Sequence, residues 1–264
     1  MKLGFIGCGN MANAIMGGII KNGVCKAEEI TAADPFAPSL ERAKANLGIQ
    51  TTQDNGAVVR VSDVVVLAVK PQFYAQVIGG IRDLVRPEQL IITIAPGKTL
   101  AWLSEQFGKP VRIVRTMPNT PALVGAGITA ACPNENVPQE ALDTALKILG
   151  SFGKVEVIPE RLMDAVVSVS GSSPAYVFLF IEAMADAAVA DGMPRAQAYT
   201  FAAQAVMGSA KMVLETGKHP GELKDMVCSP AGTTIEAVRV LEEKGLRSSV
   251  MEAMRACTAK AKSM

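Results

Sequence analysis

Apolar and polar positions change their rhythm partway along the chain. In the first part, short runs of strand formers show no alternation: Lys2 to Ile6, Ile30 to Ala33, Val64 to Val69, Leu90 to Ile94 and Val111 to Val114. A strand that is apolar at successive positions must be covered on both faces, as in a parallel sheet. Helical stretches stand between the runs. One spans Asn10 to Lys21 and closes near Asn22-Gly23, and a charged one spans Ser39 to Asn46 and is stopped by Gly48. Strand and helix in alternation predict a doubly wound α/β sheet. After about Pro159 the strand signals cease, and from Arg161 onward only helix signals remain. Pro174 to Ala190 and Pro194 to Glu215 each open with a proline suited to a first turn. Asp191-Gly192-Met193 separates them, and the second stops at Thr216-Gly217. Two shorter helices are expected beyond it, one ending at Lys244-Gly245. The pattern therefore predicts a doubly wound α/β domain over 1–159 and an all-helical domain over 160–264, without repeats or low-complexity stretches.

The first long helix of the second domain carries Ala175, Ala183, Ala185, Ala187, Ala188 and Ala190 beside Val177, Phe178, Leu179 and Ile181, with only Glu182 and Asp186 charged. A helix apolar nearly all round needs burial on nearly all sides. A domain of roughly a hundred residues hides few such helices by itself. A central position in a monomeric bundle would satisfy this helix, and so would a homodimer that intertwines these helices. A homodimer is expected.

Composition narrows the function classes. Of 264 residues, 49% are hydrophobic and 19% charged, enough to bury a substantial core and too apolar for disorder. Lys plus Arg number 26 and Asp plus Glu 25, a net charge of +1, so nothing draws the chain to nucleic acid or to an anionic membrane. A small-molecule partner is expected. Cys8, Cys25, Cys132, Cys228 and Cys257 are scattered and form no CxxC pair, which suggests neither a disulfide framework nor a metal site. Idle thiols fit a reducing compartment. Strand-forming residues begin at Lys2, and wholly apolar runs such as Val64 to Val69 are too short for a bilayer, so a cytoplasmic enzyme is expected.

The candidate chemistry begins where the first strand ends. Gly7-Cys8-Gly9-Asn10-Met11-Ala12 has the G-x-G-x-x-A form of a dinucleotide fingerprint, between a strand and a helix. Gly7 permits the tight turn, Gly9 lets a pyrophosphate approach the backbone, and Ala12 lets helix and strand pack closely. The phosphates would then sit on a helix N-terminus. The first domain is accordingly read as Rossmann-type, with NADPH or NADH as cofactor. Asp34, after the second strand, is either a ligand of the ribose hydroxyls, which favours NADH, or a plain turn residue before Pro35. Val69-Lys70-Pro71-Gln72 and Ile94-Ala95-Pro96-Gly97 end later strands, where ligands of open α/β sheets bind. Arg115 to Pro121 ends another. In the helical half, Ser170 to Tyr176 is a small-residue loop entering a helix. His219 to Asp225 and then Ser229-Pro230-Ala231-Gly232-Thr233-Thr234 follow. The last again enters a helix, so it offers hydroxyls and backbone donors to an anion, or else ordinary N-caps. Two such loops beside a nucleotide fold favour a substrate carboxylate.

In order and spacing, the GCGNM turn, VKPQ, RTMPNTP, GSSPAY and HPGELKDMVCSPAGTT resemble pyrroline-5-carboxylate reductase along essentially the whole chain. The resemblance implies reduction of 1-pyrroline-5-carboxylate to L-proline, the last step of proline synthesis. It also implies a Rossmann domain followed by a helical dimerisation domain, with larger rings of dimers. Carried over to this sequence, it places substrate on Ser229, Gly232, Thr233 and Thr234, with Thr234 near the ring nitrogen as the catalytic side chain. It lines the nucleotide with Ile6, Gly7, Cys8, Gly9, Asn10, Met11, Asp34, Asn55, Ala68, Val69, Lys70, Pro71, Ile94, Ala95 and Pro96.

Ser173 and Ala231 stand where the family usually has Gly, and Pro96 replaces a small residue in a cofactor loop. A positive φ at 173 or 231 would cost the non-glycine residue roughly 1 kcal/mol. The single histidine, His219, precedes a proline and is expected to be structural. Hydride addition to a C=N bond needs positioning more than a strong acid–base pair. Two rival readings are a 3-hydroxyacid dehydrogenase and a dinucleotide-sensing regulator without turnover. For the first, Lys211 and Lys224 lack a matching motif; for the second, the Ser229–Thr234 loop has no use.

Overall fold

The computed structural model describes residues 1–263. Contacts divide the chain into two compact units. One comprises Met1–Ser172 and the C-terminal stretch from Cys257, and the other comprises Ser173–Ala256. The last strand ends at Val157, and each described element after it is helical.

The first unit is built on eight strands: β1 (Leu3–Ile6), β2 (Ile30–Ala33), β3 (Gln50–Thr52), β4 (Val64–Leu67), β5 (Leu90–Thr93), β6 (Arg112–Met117), β7 (Gly127–Pro133) and β8 (Gly153–Val157). They lie in the order β3-β2-β1-β4-β5-β6-β7-β8. The first six are parallel, in the order of a doubly wound dinucleotide-binding sheet. β7 runs antiparallel to β6, and β8 follows β7. That reversal is a departure from a wholly parallel sheet. The link from Met117 to Gly127 holds one 3-10 turn, Thr120–Val124, and is too short for the crossover helix that a parallel return needs.

Helices cover both faces: α1 (Asn10–Lys21), α2 (Ala37–Leu47), α3 (Asn55–Val61), α4 (Tyr74–Ile81), α5 (Leu100–Phe107) and α6 (Gln139–Gly150). The two cores explain the missing alternation in β4. Val64 and Val66 pack with Ile15 and Ile19 of α1 and Ile148 of α6. Val65 and Leu67 pack with Val58 of α3, Ile78 of α4 and Phe107 of α5 on the other face. The exit from β8 is pinned from within the same unit. The buried Arg115 guanidinium meets Glu160 at 2.7 Å, and the same carboxylate oxygen accepts the Leu100 N–H at 2.6 Å. The chain then runs through α7 (Met163–Val166) and a π-helical turn, Val167–Gly171. Thr258, from the C-terminal end, donates to the Ser168 hydroxyl of that turn at 2.9 Å.

The second unit contains α8 (Ser173–Ala190), α9 (Arg195–Thr216), α10 (Pro220–Val227), α11 (Thr233–Glu243) and most of α12 (Leu246–Lys262). Three helices thus follow α9, where two short ones were expected, and the last has 17 residues. Gly217 ends α9 in the left-handed conformation, φ +66°, as its position after the helix predicts. In α8 only Ala185 is buried, and in α9 only Ala198 and Ala202. Phe178, Leu179, Phe201 and Leu214 are each more than 60% exposed within the single chain.

Candidate active site

The parallel order of β1, β2, β4 and β5 brings the C-terminal ends of these strands to one edge of the sheet, and the predicted nucleotide residues lie there. Ile6 ends β1, Gly7 to Met11 form the turn into α1, and Asp34 follows β2. Ala68 to Pro71 follow β4 and Ile94 to Pro96 follow β5. Asn55 is the first residue of α3, behind Asp54, whose side chain caps that helix by accepting the Gly56 N–H at 2.7 Å. A cavity of about 670 Å³ opens at this edge, lined by Ile6, Gly7, Asn55 and Val69 among others. Gln53, Phe73 and Gln76 also line it and were not foreseen. Their signal was weak, since β3 has only three residues and α4 begins directly after a 3-10 turn, Pro71–Phe73.

The two glycines of the turn differ in what demands them. Gly7 has φ +99°, and a β-carbon there would lie 2.6 Å from the Ala68 carbonyl oxygen, so the fold itself excludes a side chain. Gly9 has an ordinary extended backbone, and a β-carbon there would meet nothing within 4 Å. The space over Gly9 is open, and the N–H groups of Gly9, Asn10 and Met11 have no partner among the described residues. Free first-turn donors beside this open space suit the pyrophosphate of NAD(P)H. Burial, then the neighbouring Asp34 charge, push the Cys8 thiol above the ordinary range, which disfavours its thiolate. Beneath the loops, the buried Tyr74 hydroxyl donates to the Leu67 carbonyl at 2.6 Å and accepts the Ile94 N–H at 3.3 Å. It ties the end of β4 to the end of β5 and thereby sets the spacing of the two loops. Burial raises this phenol far above its usual range, which keeps it a neutral donor.

The RTMPNTP segment serves the connection out of the sheet. Asn119 accepts the Ile128 N–H at 2.9 Å and donates to the Ser170 carbonyl of the π-helical turn at 3.1 Å. A β-carbon at Gly171 would fall 2.6 Å from the Met117 methyl group, the movable end of a flexible side chain.

In the second unit, Ser229, Gly232, Thr233 and Thr234 come together in the turn that opens α11. Gly232 donates its N–H to the Ser229 carbonyl at 3.1 Å. With Pro230 and then Ala231 at φ +59° between them, this has the signature of a type II turn. Gly232 is the N-cap of α11, so Thr233 and Thr234 occupy its first two positions and neither is the cap. The hydroxyls of Ser229, Thr233 and Thr234 make no hydrogen bond among the described residues. Three free hydroxyls and free first-turn N–H groups suit a carboxylate. His219 caps α10, accepting the Gly221 N–H at 3.1 Å through Nδ1, which is the structural role expected of it.

Of the two positions where this chain lacks a family glycine, only one is strained. Ser173 lies in helical backbone at the start of α8, whereas Ala231 is the one non-glycine residue with positive φ among those described. Ala231→Gly is therefore expected to stabilise the protein by about 1 kcal/mol, a rise of about 2–4 °C in melting temperature. Thermal melts at matched protein concentration check this, and an unchanged midpoint would show that the turn holds no strain.

A doubly wound sheet with free N–H groups in the glycine-rich turn at its switch edge, joined to a helical unit with free hydroxyls and N–H groups in a second turn, is the arrangement of a dinucleotide-dependent oxidoreductase. Residues 160–264 match the family described as pyrroline-5-carboxylate reductase dimerisation, and residues 2–97 match that described as NADP oxidoreductase, coenzyme F420-dependent. The chain is 53% identical to the pyrroline-5-carboxylate reductase of Escherichia coli (strain K12), over 100% of this chain and 98% of that one. A solved pyrroline-5-carboxylate reductase from Coxiella burnetii superposes with a TM-score of 0.91 at 37% identity, covering 99% of this chain and 97% of its own. One from Plasmodium falciparum, with NADP bound, also gives 0.91, at 34% identity, covering 100% and 97%. The chain belongs to the pyrroline-5-carboxylate reductase family.

Proposed function

We propose that Ser229, Gly232, Thr233 and Thr234 hold 1-pyrroline-5-carboxylate in a chain whose Gly7–Met11 turn takes the pyrophosphate of its reductant. The chain reduces this cyclic imine to L-proline with a hydride from NAD(P)H. In this reading residues 1–159 serve the nucleotide and residues 160–264 serve the substrate and a second subunit. The observation that carries it is the α11 turn. Its three hydroxyls and its first-turn N–H groups have no partner among the described residues, and a carboxylate satisfies several of them at once.

NAD(P)H held at the sheet edge would supply a hydride to the C=N carbon, and that bond's electron pair would pass to nitrogen, which enters already protonated as the iminium or takes a proton from solvent. The remaining work of the chain is placement. The free N–H groups of Gly9, Asn10 and Met11 fix the pyrophosphate, and Asp34, Asn55, Ala68 to Pro71 and Ile94 to Pro96 line the rest of the nucleotide. The α11 turn fixes the carboxylate, which leaves a five-membered ring little freedom. Thr234 donates to or accepts from the ring nitrogen as its charge changes. An NAD(P)H absorbance assay tests the reading: oxidation that depends on added pyrroline-5-carboxylate, with proline as product, is expected. Nucleotide binding without turnover would refute it.

The partner of the helical unit is a second copy of the chain. Glu160–Ala190 is long and apolar enough to cross a bilayer by length and composition. However, it contains Asp164, Glu182 and Asp186, and it lies inside the residues that match the dimerisation family. Apolar faces such as those of Phe178, Leu179 and Phe201 then pack between subunits. A homodimer with no stable folded monomer is expected by light scattering at micromolar concentration. A monodisperse, active monomer would show that these faces need no partner. Larger rings of dimers would appear in the same measurement as multiples of the dimer mass. Five free cysteines suit the reducing cytoplasm, where we place the enzyme.

A further inference from the structure

The turn that opens α1 is held from outside by two side chains. Asp34, after β2, accepts the Cys8 N–H through Oδ2 at 2.8 Å and the Phe36 N–H through Oδ1 at 2.9 Å. From the α1 side, the Asn13 amide donates to the carbonyls of Cys8 and Gly9 at 2.9 and 2.8 Å. Gly7 donates its own N–H to the Ala33 carbonyl at 2.7 Å. Together these bonds engage the N–H groups of Gly7 and Cys8 and the carbonyls of Cys8 and Gly9. Among the described residues, the N–H groups of Gly9, Asn10 and Met11 have no partner.

We infer that Asp34 and Asn13 are positioning residues for the reduction, which lock the Gly7–Gly9 turn in its anion-receiving conformation before the nucleotide arrives. Asp34 then serves NADH and NADPH alike instead of choosing between them. This inference rests on the reading that the turn takes the dinucleotide. Its physical basis is conformational freedom. A segment with glycine at both Gly7 and Gly9 samples many backbone states, and ordering it at the moment of binding would be subtracted from affinity. Asp34 removes part of that cost through two backbone donors, and Asn13 through two backbone acceptors. The carboxylate is specifically suited, because both of its oxygens accept. An asparagine in its place offers one accepting oxygen, so either the Cys8 or the Phe36 N–H would face an NH2 group.

That asymmetry provides the experiment. Asp34→Asn keeps shape and volume but removes one acceptor and the charge. With the clamp lost, KM for NADH and for NADPH should rise together by about tenfold while kcat stays within about twofold, because the bond supports ground state and transition state equally. If Asp34 instead discriminated by repelling a 2′-phosphate, the same change would lower KM for NADPH alone and shift the preference towards it. That result, or unchanged values for both nucleotides, would overturn the inference. Asn13→Ala tests the other half of the clamp and decides the matter if Asp34→Asn does not fold: it carries no charge change, and a parallel rise for both nucleotides is again expected. Unchanged KM values in Asn13→Ala would overturn the shared role. Gly9→Val separates the inference from the reading beneath it. If that variant binds nucleotide normally, the turn is not the nucleotide site; if it loses binding while Asp34→Asn and Asn13→Ala keep theirs, only the clamp is wrong.

Discussion

Gly9→Val weakens binding of NADH and NADPH by at least about a hundredfold, more than ~2.7 kcal/mol, and leaves the melting temperature nearly unchanged. The two halves of this expectation rest on separate observations. Gly9 has an extended backbone open to any residue, and its built β-carbon meets no atom within 4 Å, so the fold tolerates the side chain. The free N–H groups of Gly9, Asn10 and Met11 lie beside it, and a branched side chain at Gly9 would occupy the space through which a pyrophosphate reaches them. Gly7 would be a poor test, because its positive φ and the nearby Ala68 carbonyl make any substitution a folding defect. Trp102 is the single tryptophan, and its emission overlaps the absorbance of the reduced nicotinamide, so energy transfer from it reads binding directly. Retained affinity would remove the fingerprint assignment.

Thr234→Ala lowers kcat/KM by roughly thirty- to a hundredfold, the effect of losing one hydrogen bond of about 2–3 kcal/mol at a developing charge. The structure sharpens this expectation by removing a competing role. Had Thr234 been the N-cap of α11, its loss would appear as about 1 kcal/mol of stability. Gly232 holds the cap position instead, and the Thr234 hydroxyl bonds to no described residue. The variant should therefore melt within a degree or two of the parent while turning over far more slowly. Thr233→Ala should cost less, since the contribution expected of that residue is its backbone N–H, which alanine retains. Full activity in Thr234→Ala would exclude it from the chemical step.

Several elements were legible because local chemistry alone specifies them. Asn10–Lys21 and Ile30–Ala33 form as predicted, and Gly48 and Gly217 end their helices in the left-handed conformation. Each is set by the period of its apolar residues or by the conformational range of one glycine. The segment β3–α3–α4 was not legible. Gln50–Thr52 is a three-residue polar strand recognisable only by its pairing with Thr31 to Ala33, and α3 depends on a cap from Asp54. Nothing in the apolar pattern marked either, so Gln53, Phe73 and Gln76 were missed with them.

The sequence by itself determined the class of the sheet, the place of the glycine-rich turn, the change to helices after β8 and the family, because all of these rest on short-range pattern and ordered motifs. It also marked position 231 as one to watch, while leaving 231 and 173 equivalent. Only the tertiary structure separated them, since the sign of φ depends on the turn that Gly232 closes on Ser229. Likewise a ribose ligand and a turn residue are the same aspartate in a sequence. Which backbone donors reach Asp34 depends on β1 and β2 lying side by side, which brings the Cys8 N–H to 2.8 Å from a carboxylate twenty-six positions away. Hydrogen bonds between segments distant in sequence exist only once the sheet has assembled, and no local pattern encodes them.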